Sequence, residues 1–307
     1  MMKADFADRY EMLVPGSRVL CAVSGGADSM CLLHWLVSLR EERQLTLFAA
    51  HYEHGLRGEE SERDARFTAQ QCAAVSVPCT VEHGDVLPFA EEKHIGIEEA
   101  ARILRYRFLE ETASQLGCEK IATAHNADDN AETVLMNLCR GSGTRGMAGI
   151  PPVRGRIVRP LLSTSREEIL TYLASRGLPY IEDSSNGDDA YTRNRFRHSI
   201  VPLLEEENPS FLSAVSRTAQ LLREDDAYLC VLADAFLAEH LQGNVLPAAE
   251  LLKLDLPVSR RVIRRLCGNG LSMERTDALL RFASGVEPGV LELPGRKITR
   301  RKGKLLF

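Results

Sequence analysis

The sequence predicts an α/β protein: a Rossmann-like open parallel sheet with helices on both faces, plus a smaller, mainly helical C-terminal domain that ends in short strands. Three observations support this fold class. Short apolar runs rich in β-branched residues alternate with segments of helical periodicity in the first half of the chain. A glycine pair follows the first of these runs. Beyond residue 208 the spacing is mainly helical, and the last residues alternate around Gly295 and Gly303.

The order of the elements places the sheet first. We expect strands at residues 18–23, 46–51, 79–83 and 120–125. We expect helices at residues 29–40, 61–74, 97–116 and 131–138. Because strands that alternate with helices form βαβ units, the sheet should be parallel. Residues 140–152 hold four glycines and two prolines and should form a loop, and a Ser/Thr-capped helix begins in the STSREEIL stretch that follows.

A change of pattern near residue 210 predicts two domains, residues 1–210 and 211–307. The second should begin with one long helix at residues 213–241 and continue with helices near residues 258–267 and 273–282. It should end in a small β-meander.

Composition limits the classes of protein. A chain of 307 residues with 44% hydrophobic content can build one large core and one smaller core. Early charges and the lack of a long apolar run predict a cytoplasmic protein without a signal peptide or membrane span. The eight cysteines form no Cys-x-x-Cys pair, which predicts reduced thiols rather than zinc or iron–sulfur sites. The net charge is −5, yet residues 256–307 carry twelve basic and four acidic side chains; this fits either contact with a polyanion or a solvated surface.

The glycine pair lies in the hexapeptide SGGADS, residues 24–29. Glycine permits positive φ and a close approach of backbone N–H groups, and the next helix adds unpaired N–H groups and the positive end of its dipole. We therefore predict a phosphate site. Asp28 lies near the position at which a Walker A loop has lysine. An acid so close to bound phosphate is expected where Mg²⁺ lies between the carboxylate and the phosphate. The alternative is a plain turn whose acid only favours the helix start. The candidate residues are Ser24, Gly25, Gly26, Ala27, Asp28 and Ser29.

Two further stretches follow the second and fourth strands, at the edge where open α/β sheets bind ligands. HYEHGLRG begins at His51 and includes Arg57. His51 and His54 lack a third ligand nearby, which argues against a metal site. We expect these histidines and Arg57 to line the loop at this edge of the sheet. HNADDNAETVLMNLCRGSGTRG begins at His125, which is expected to end the fourth strand.

Three acids in this last stretch are expected on the first turn of a helix: Asp128, Asp129 and Glu132. They either bind magnesium and organise the reacting centre or only stabilise the helix dipole. Asp128 and Glu132 are four residues apart and therefore share a helix face. Arg140 and Arg145 flank the glycine loop, which suits a mobile contact with phosphate or nucleic acid.

The stretch YTRNRFRHSIVPLL, residues 191–204, interleaves arginines with aromatic residues. Guanidinium groups suit phosphate and aromatic rings suit bases, while the alternative is a solvated basic face. Its arginines are Arg193, Arg195 and Arg197.

Taken together, these motifs resemble those of a known enzyme family. SGGADS resembles the SGGxDS signature of the PP-loop ATP pyrophosphatases, which split ATP between its α and β phosphates. With an HxxHGLR-like block, an HxxDDxAET block running into RGSGxRG, and a TRNRxRH-like block, in that order over about residues 18–204, the chain resembles the tRNA(Ile)-lysidine synthetase family. EEAARILRYRFL, residues 98–109, also matches the family's helix before the fourth strand. The implied fold is that of the PP-loop, adenine nucleotide alpha hydrolase-like ATPases.

The resemblance implies an ATP-dependent ligation of L-lysine to C2 of the wobble cytidine in the CAU anticodon of tRNA(Ile). ATP first adenylates the cytosine 2-oxygen and pyrophosphate leaves; the lysine amine then attacks C2 and AMP leaves. An adenylate is a better leaving group than a carbonyl oxygen, and Mg²⁺ and arginines supply positioning and charge neutralisation. The product, lysidine, reads AUA rather than AUG and changes the tRNA from methionine to isoleucine identity.

The resemblance also assigns residues. It implies ATP binding by residues 24–29 with His51 and His125, and Mg²⁺ binding by Asp28 and Asp128. It implies catalytic roles for Asp28, Asp128, Asp129, Glu132 and Arg195. The acids among them either organise magnesium and the reacting groups or bind the lysine ammonium, and these roles are not divided among individual residues. It implies phosphate or tRNA contacts for Arg57, Arg102, Arg140, Arg145, Arg193 and Arg197.

Residues 1–210 would then be the ATP-binding catalytic domain and residues 211–307 a tRNA-contacting domain. Longer family members continue past a segment like the final LPGRKITRRKGKLLF, so we expect either a short form or a missing C-terminal module. The family also suggests a homodimer. Two alternatives stay open: a PP-loop thiolase that makes 2-thiocytidine in tRNA, and a non-catalytic module that binds an adenine nucleotide.

Overall fold

The computed structural model describes residues 4–55, 58–182, 192–268 and 270–307. The chain divides into two compact units, Met1–Ala219 and Gln220–Phe307. The division falls inside a long helix, whereas the sequence pattern predicted a boundary just before that helix. The roles given to the two segments, catalysis and tRNA contact, stay predictions.

A six-stranded sheet forms the centre of the first unit, in the order β3-β2-β1-β4-β6-β5. Its strands are β1 (Arg18–Ala22), β2 (Thr46–Glu53), β3 (Cys79–His83), β4 (Lys120–Ala122), β5 (Val153–Arg154) and β6 (Ile157–Val158). Neighbouring strands are parallel except for the antiparallel β5–β6 pair. The segments that follow β1, β4 and β6 therefore meet at one edge of the sheet.

Helices cover both faces of this sheet. They are α1 (Asp5–Arg9), α2 (Ala27–Leu39), α3 (Glu59–Ala74), α4 (Val86–Lys93), α5 (Ile97–Gln115), α6 (Ala127–Cys139), α7 (Thr144–Met147), α8 (Arg166–Ser175), α9 (Thr192–Arg195) and α10 (Val201–Glu207), with a π-helical turn, Phe196–Ile200, before α10. Successive β1 side chains point to opposite faces. Val19 therefore packs into the core that holds Leu36 of α2 and Leu173 of α8, while Leu20 packs into the core that holds Leu109 of α5.

The second unit packs helices on a four-stranded antiparallel sheet of order β7-β10-β9-β8. Its elements are the greater part of α11 (Phe211–His240), β7 (Val245–Pro247), α12 (Ala248–Leu251), α13 (Leu256–Cys267), α14 (Met273–Ser284), β8 (Gly289–Leu293), β9 (Arg296–Arg301) and β10 (Lys304–Leu306). Phe236, Val262, Leu279 and Ile298 belong to one buried core. The predicted helices and the final meander are present, and β7 joins that meander.

The predicted fold class is confirmed, and two local predictions were wrong. β4 ends at Ala122, so His125 lies beyond the strand rather than at its end. Asn126 and Asp129 form a capping box that starts α6 at Ala127, four residues before the predicted start. Glu132 therefore belongs to the second turn of α6, not to its first. Some short elements, notably α4 and the β5–β6 hairpin, were not predicted. No helix of the described residues combines the length and the hydropathy that a membrane span needs.

Candidate active site

The glycine loop between β1 and α2 is held by its own hydrogen bonds. The Ser29 hydroxyl accepts a hydrogen bond from the Ser24 N–H (3.0 Å) and donates one to the Gly26 carbonyl (2.9 Å). Gly26 is the N-cap of α2, whose first-turn N–H groups have no partner one turn back. A preformed turn at a helix N-terminus favours an anion.

Gly25 is the position in this loop that only glycine fits. Its φ is +85°, and an added Cβ would lie 2.9 Å from both the Ile181 Cδ1 and the Thr68 Oγ1. The Ile181 N–H also donates to the Gly25 carbonyl at 2.9 Å. The loop is therefore clamped both by its own hydrogen bonds and by the contact with Ile181.

Two acids from separate elements meet at Arg166, the first residue of α8. The Asp28 Oδ1 lies 2.5 Å from Arg166 Nη1 and accepts a hydrogen bond from Asn126 Nδ2 at 3.1 Å. The Asp128 Oδ2 accepts a hydrogen bond from the Arg166 backbone N–H at 2.8 Å. Burial raises the pKa of the Asp128 carboxyl and the Asp28 charge adds to that rise, while the Arg166 N–H opposes it. Arg166 was not among the predicted site residues, although its place at the start of a capped helix was a signal.

Glu132 is the most buried acid of the site, with 1% of its surface exposed. Its Oε1 accepts a hydrogen bond from Arg197 Nε at 2.7 Å, and its Oε2 lies 3.2 Å from Arg193 Nε. Arg197 also donates to Asp129 Oδ1 at 3.1 Å. Burial raises the pKa of Glu132, and the Arg197 hydrogen bond opposes that rise. Burial lowers the pKa of Arg197, but its contacts with Glu132 and Asp129 together outweigh burial, so the pKa is raised.

These contacts join residues 192–197 to α6. Arg193 also donates to the Thr133 hydroxyl at 3.0 Å, and Arg195 is exposed and donates to Thr192 Oγ1 at 3.1 Å. Arg193 and Arg197 thus have acidic partners within the chain, and their assignment to phosphate or tRNA stays a prediction. The acids hold the segment that carries Arg195.

Both predicted histidines lie at the same edge. His51 is buried in β2, with Nδ1 3.0 Å from the Val23 carbonyl oxygen, and burial lowers its pKa. His125 Nδ1 lies 3.1 Å from the Thr123 hydroxyl. Burial and then the Arg159 charge lower the His125 pKa to about 3. Its imidazole is therefore neutral at pH 7 and can donate or accept a hydrogen bond without adding charge.

The remaining predicted residues are spread out. Ala27 opens α2 and is buried. Arg140 is the C-cap that follows α6, Arg145 lies in α7, and both are exposed on the glycine-rich segment. Arg102 lies over the Tyr106 ring. Arg57 and also Tyr191 lie outside the residues that the structure describes.

The side chains of this site could bind Mg²⁺ through two carboxylates but do not form a complete metal site by themselves. Within the described ranges, no group of three histidine, cysteine or acidic side chains could hold a metal ion. Mg²⁺ in nucleotide sites commonly takes one or two carboxylates together with substrate phosphates and water. Asp28 and Asp128, brought together at Arg166, supply two such carboxylates.

The chain is similar to known proteins over most of its length. A protein-family model described as a PP-loop domain matches residues 2–204. Curated relatives called tRNA(Ile)-lysidine synthase come from Geobacter sulfurreducens, Geobacillus kaustophilus and Bacillus subtilis, with 39, 38 and 36% identity. The alignments cover 98, 98 and 99% of this chain and 67, 69 and 68% of those relatives. The chain therefore spans about two thirds of the length of these relatives.

One solved structure supports the fold. It is the U34-tRNA thiolase NcsA from Methanococcus maripaludis with its 4Fe–4S cluster, at a TM-score of 0.59 and 19% identity. The match covers 69% of this chain and 74% of that chain. At this identity the likeness concerns the fold alone.

Proposed function

The chain belongs to the tRNA(Ile)-lysidine synthase family and carries its PP-loop domain, and on that premise we propose that it joins L-lysine to C2 of the wobble cytidine in tRNA(Ile) with a CAU anticodon. The reaction consumes ATP, passes through an adenylated cytidine and releases AMP and pyrophosphate. The observation that carries the proposal is the clamped glycine loop with Asp28 and Asp128 joined at Arg166.

The glycine loop binds the phosphates of ATP. Residues 24–29 offer backbone N–H groups and the start of α2, and the Ser24–Ser29 hydrogen bonds fix their direction in advance. Preorganised donors of this kind stabilise the charge that grows on a departing pyrophosphate.

Asp28 and Asp128 are the residues that would hold Mg²⁺. When bound, the ion would neutralise phosphate charge as ATP is cleaved. The same Asp28 oxygen contacts Arg166, so a cation there competes with the guanidinium. A released Arg166 lies beside the loop and can pair with phosphate.

Asp129 and Glu132 position the segment that carries Arg195. Through Arg193 and Arg197 they tie residues 192–197 to α6. Arg195 then contacts the tRNA near the reacting cytidine. A cytidine in an anticodon loop leaves the base stack at low cost, so positioning of the loop dominates.

The alternatives are not favoured. The thiolase likeness is one of fold at 19% identity, whereas the lysidine synthases match nearly the whole chain at 36–39% identity. A non-catalytic module would give no role to the two carboxylates that meet at Arg166 beside the glycine loop. The eight cysteines, none of them in a disulfide, suit the reducing cytoplasm, where we place the reaction. A homodimer stays a prediction.

Incorporation of radiolabelled lysine into tRNA(Ile) with a CAU anticodon, in the presence of ATP and magnesium, tests the proposal. Elongator tRNA(Met), which shares the anticodon, is the control substrate, and Asp28→Asn is the control variant. We expect incorporation into the first tRNA and its loss in the variant. Absence of incorporation with intact ATP and bound tRNA would overturn the proposal.

A further inference from the structure

Three arginines lie around one tyrosine on the α5 side of the first unit, and a fourth interacts with it electrostatically. The guanidinium carbons of Arg102, Arg105 and Arg154 lie 5.2, 5.6 and 5.5 Å from the centroid of the Tyr106 ring. Arg159 is close enough for its pKa to respond to Tyr106 and to Arg154. We call these five residues the Tyr106 cluster.

The cluster has a buried base and an exposed rim. Arg159 follows β6, is 2% exposed and donates from Nη1 to the Pro151 carbonyl oxygen at 2.6 Å. Its Nε has no hydrogen-bond partner among the described residues. Burial lowers the pKa of Arg159 and of Arg105. Arg102 and Arg154, by contrast, are exposed.

The cluster lacks the acids that neutralise other arginines of this unit. Within the described part of the chain, none of its four guanidinium groups forms an ion pair with a carboxylate, whereas Arg193 and Arg197 both pair with Glu132. Like charges gathered in one cluster repel each other, and burial makes that repulsion stronger. Such an arrangement is stabilised when an anion with several charges binds to it.

The cluster also adjoins the candidate active site. β4 and β6 are neighbouring parallel strands, so Arg159 and His125 follow them at the same edge of the sheet. Arg159, Arg105 and Arg102 all contribute to the low pKa of His125. The glycine loop follows β1, on the other side of β4. The phosphates of ATP thus have their own site, and a second anion is needed to explain the cluster.

We propose that the Tyr106 cluster binds the phosphodiester backbone of the tRNA anticodon loop beside the reacting cytidine. This inference rests on the proposed function and extends it, because Arg105, Arg154, Arg159 and Tyr106 join Arg102 in one subsite. Arginine matches the geometry of phosphate, and guanidinium and aromatic planes both stack on unpaired bases. The buried Arg159 sets the depth of the subsite and the exposed Arg154 forms its rim.

The β5–β6 turn offers a matched pair of variants for the test. Arg154 and Arg156 flank Gly155 and both are exposed, but Arg156 donates to Ser114 Oγ at 3.0 Å and lies outside the cluster. The probe is a fluorescent anticodon stem-loop RNA with a CAU loop, titrated by anisotropy onto the full chain at several salt concentrations. A thermal melt of each variant checks the fold.

We expect Arg154→Gln to weaken RNA binding about three- to tenfold and to reduce the slope of log K against log salt by about 0.7 to 0.9. Arg156→Gln should leave both unchanged, and ATP affinity should be the same in both variants. An unchanged slope for Arg154→Gln, an equal loss for Arg156→Gln, or a loss of ATP affinity in place of RNA affinity would each overturn the inference. A wild-type chain that shows the expected slopes but incorporates no lysine would refute the proposed reaction and leave the RNA subsite standing.

Discussion

Replacing Glu132 with alanine should destabilise the first unit by about 2–3 kcal/mol. The carboxylate is 1% exposed and lies 2.7 Å from Arg197 Nε and 3.2 Å from Arg193 Nε. Breaking a buried ion pair costs about 3–5 kcal/mol, because the remaining charge stays buried without a partner. Here both guanidinium side chains remain 37% exposed, and Arg197 keeps its contact with Asp129. These two facts place the expected loss at or below the low end of that range.

Urea unfolding followed by tryptophan fluorescence measures this loss. Trp35 is the single tryptophan and is buried in the first unit, so its emission reports on that unit. Glu132→Gln keeps the side-chain volume and one acceptor and should lose about half as much stability. The double variant Glu132→Ala/Arg197→Ala should lose less than the sum of its single changes, because it removes one unpaired charge. A Glu132→Ala protein within about 0.5 kcal/mol of the wild type would refute this account of the ion pairs.

Three further changes test the loop, the acid pair and the buried histidine. Gly25→Ala should weaken ATP binding at least tenfold in calorimetry, because the new Cβ would lie 2.9 Å from the Ile181 Cδ1. The control is Gly16→Ala, which should bind ATP normally: Gly16 has a similar φ of +81°, but an added Cβ there would meet no atom within 4 Å. Arg166→Ala removes the guanidinium that competes with magnesium for Asp28, so half-maximal lysine incorporation should need less magnesium. The maximal rate should also fall. A higher magnesium requirement would contradict the competition. The folded-state pKa of His125 is lowered from 6.5 to about 3, so between these values the unfolded chain binds a proton that the folded chain does not. Stability should therefore fall as pH falls through that window, by up to about 1.4 kcal/mol per pH unit from this residue, and His125→Gln should remove that contribution in urea titrations at pH 7 and pH 5.

The sheet and the glycine loop could be predicted because their signals are local. The composition of β1 is typical of a buried strand, and a glycine pair between a strand and an apolar helix favours a tight turn. The α6 start was misplaced because a capping box, Asn126 with Asp129, overrode the apolar spacing used to place it. Arg166 could not be found from spacing, because its contact with Asp28 joins residues far apart in sequence.

Some basic side chains of the C-terminal segment have acidic partners within the second unit. Three arginines of α13 pair with acids inside the second unit: Arg260 with Asp277, Arg261 with Asp226, and Arg265 with Asp234. Two of those acids, Asp226 and Asp234, belong to α11 and lie outside residues 256–307. Asp277 already belongs to the segment, so these pairs offset only two of its eight excess positive charges, and a tRNA contact by this unit stays a prediction.

The same distinction between paired and unpaired arginines leads to a last prediction, for the first unit. Arg193 and Arg197 are held by Glu132 and Asp129, so they can bind phosphate strongly only after releasing those acids. A lysine ammonium bound by the acids would replace the guanidinium groups and free them for the tRNA. Lysine and tRNA should then strengthen each other's binding by the same factor, because coupling between two ligands is reciprocal.

We expect saturating lysine to tighten the binding of tRNA(Ile) about fivefold or more, the lower end of typical couplings. Norleucine, whose side chain has the same four carbons as lysine but lacks the terminal ammonium, is the matched control ligand and should have no effect. Glu132→Gln should abolish the response to lysine, because the amide carries no charge to exchange between ammonium and guanidinium. An equal response to norleucine, or tRNA binding that ignores lysine in the wild type, would show that the acids serve only to hold the arginine segment in place.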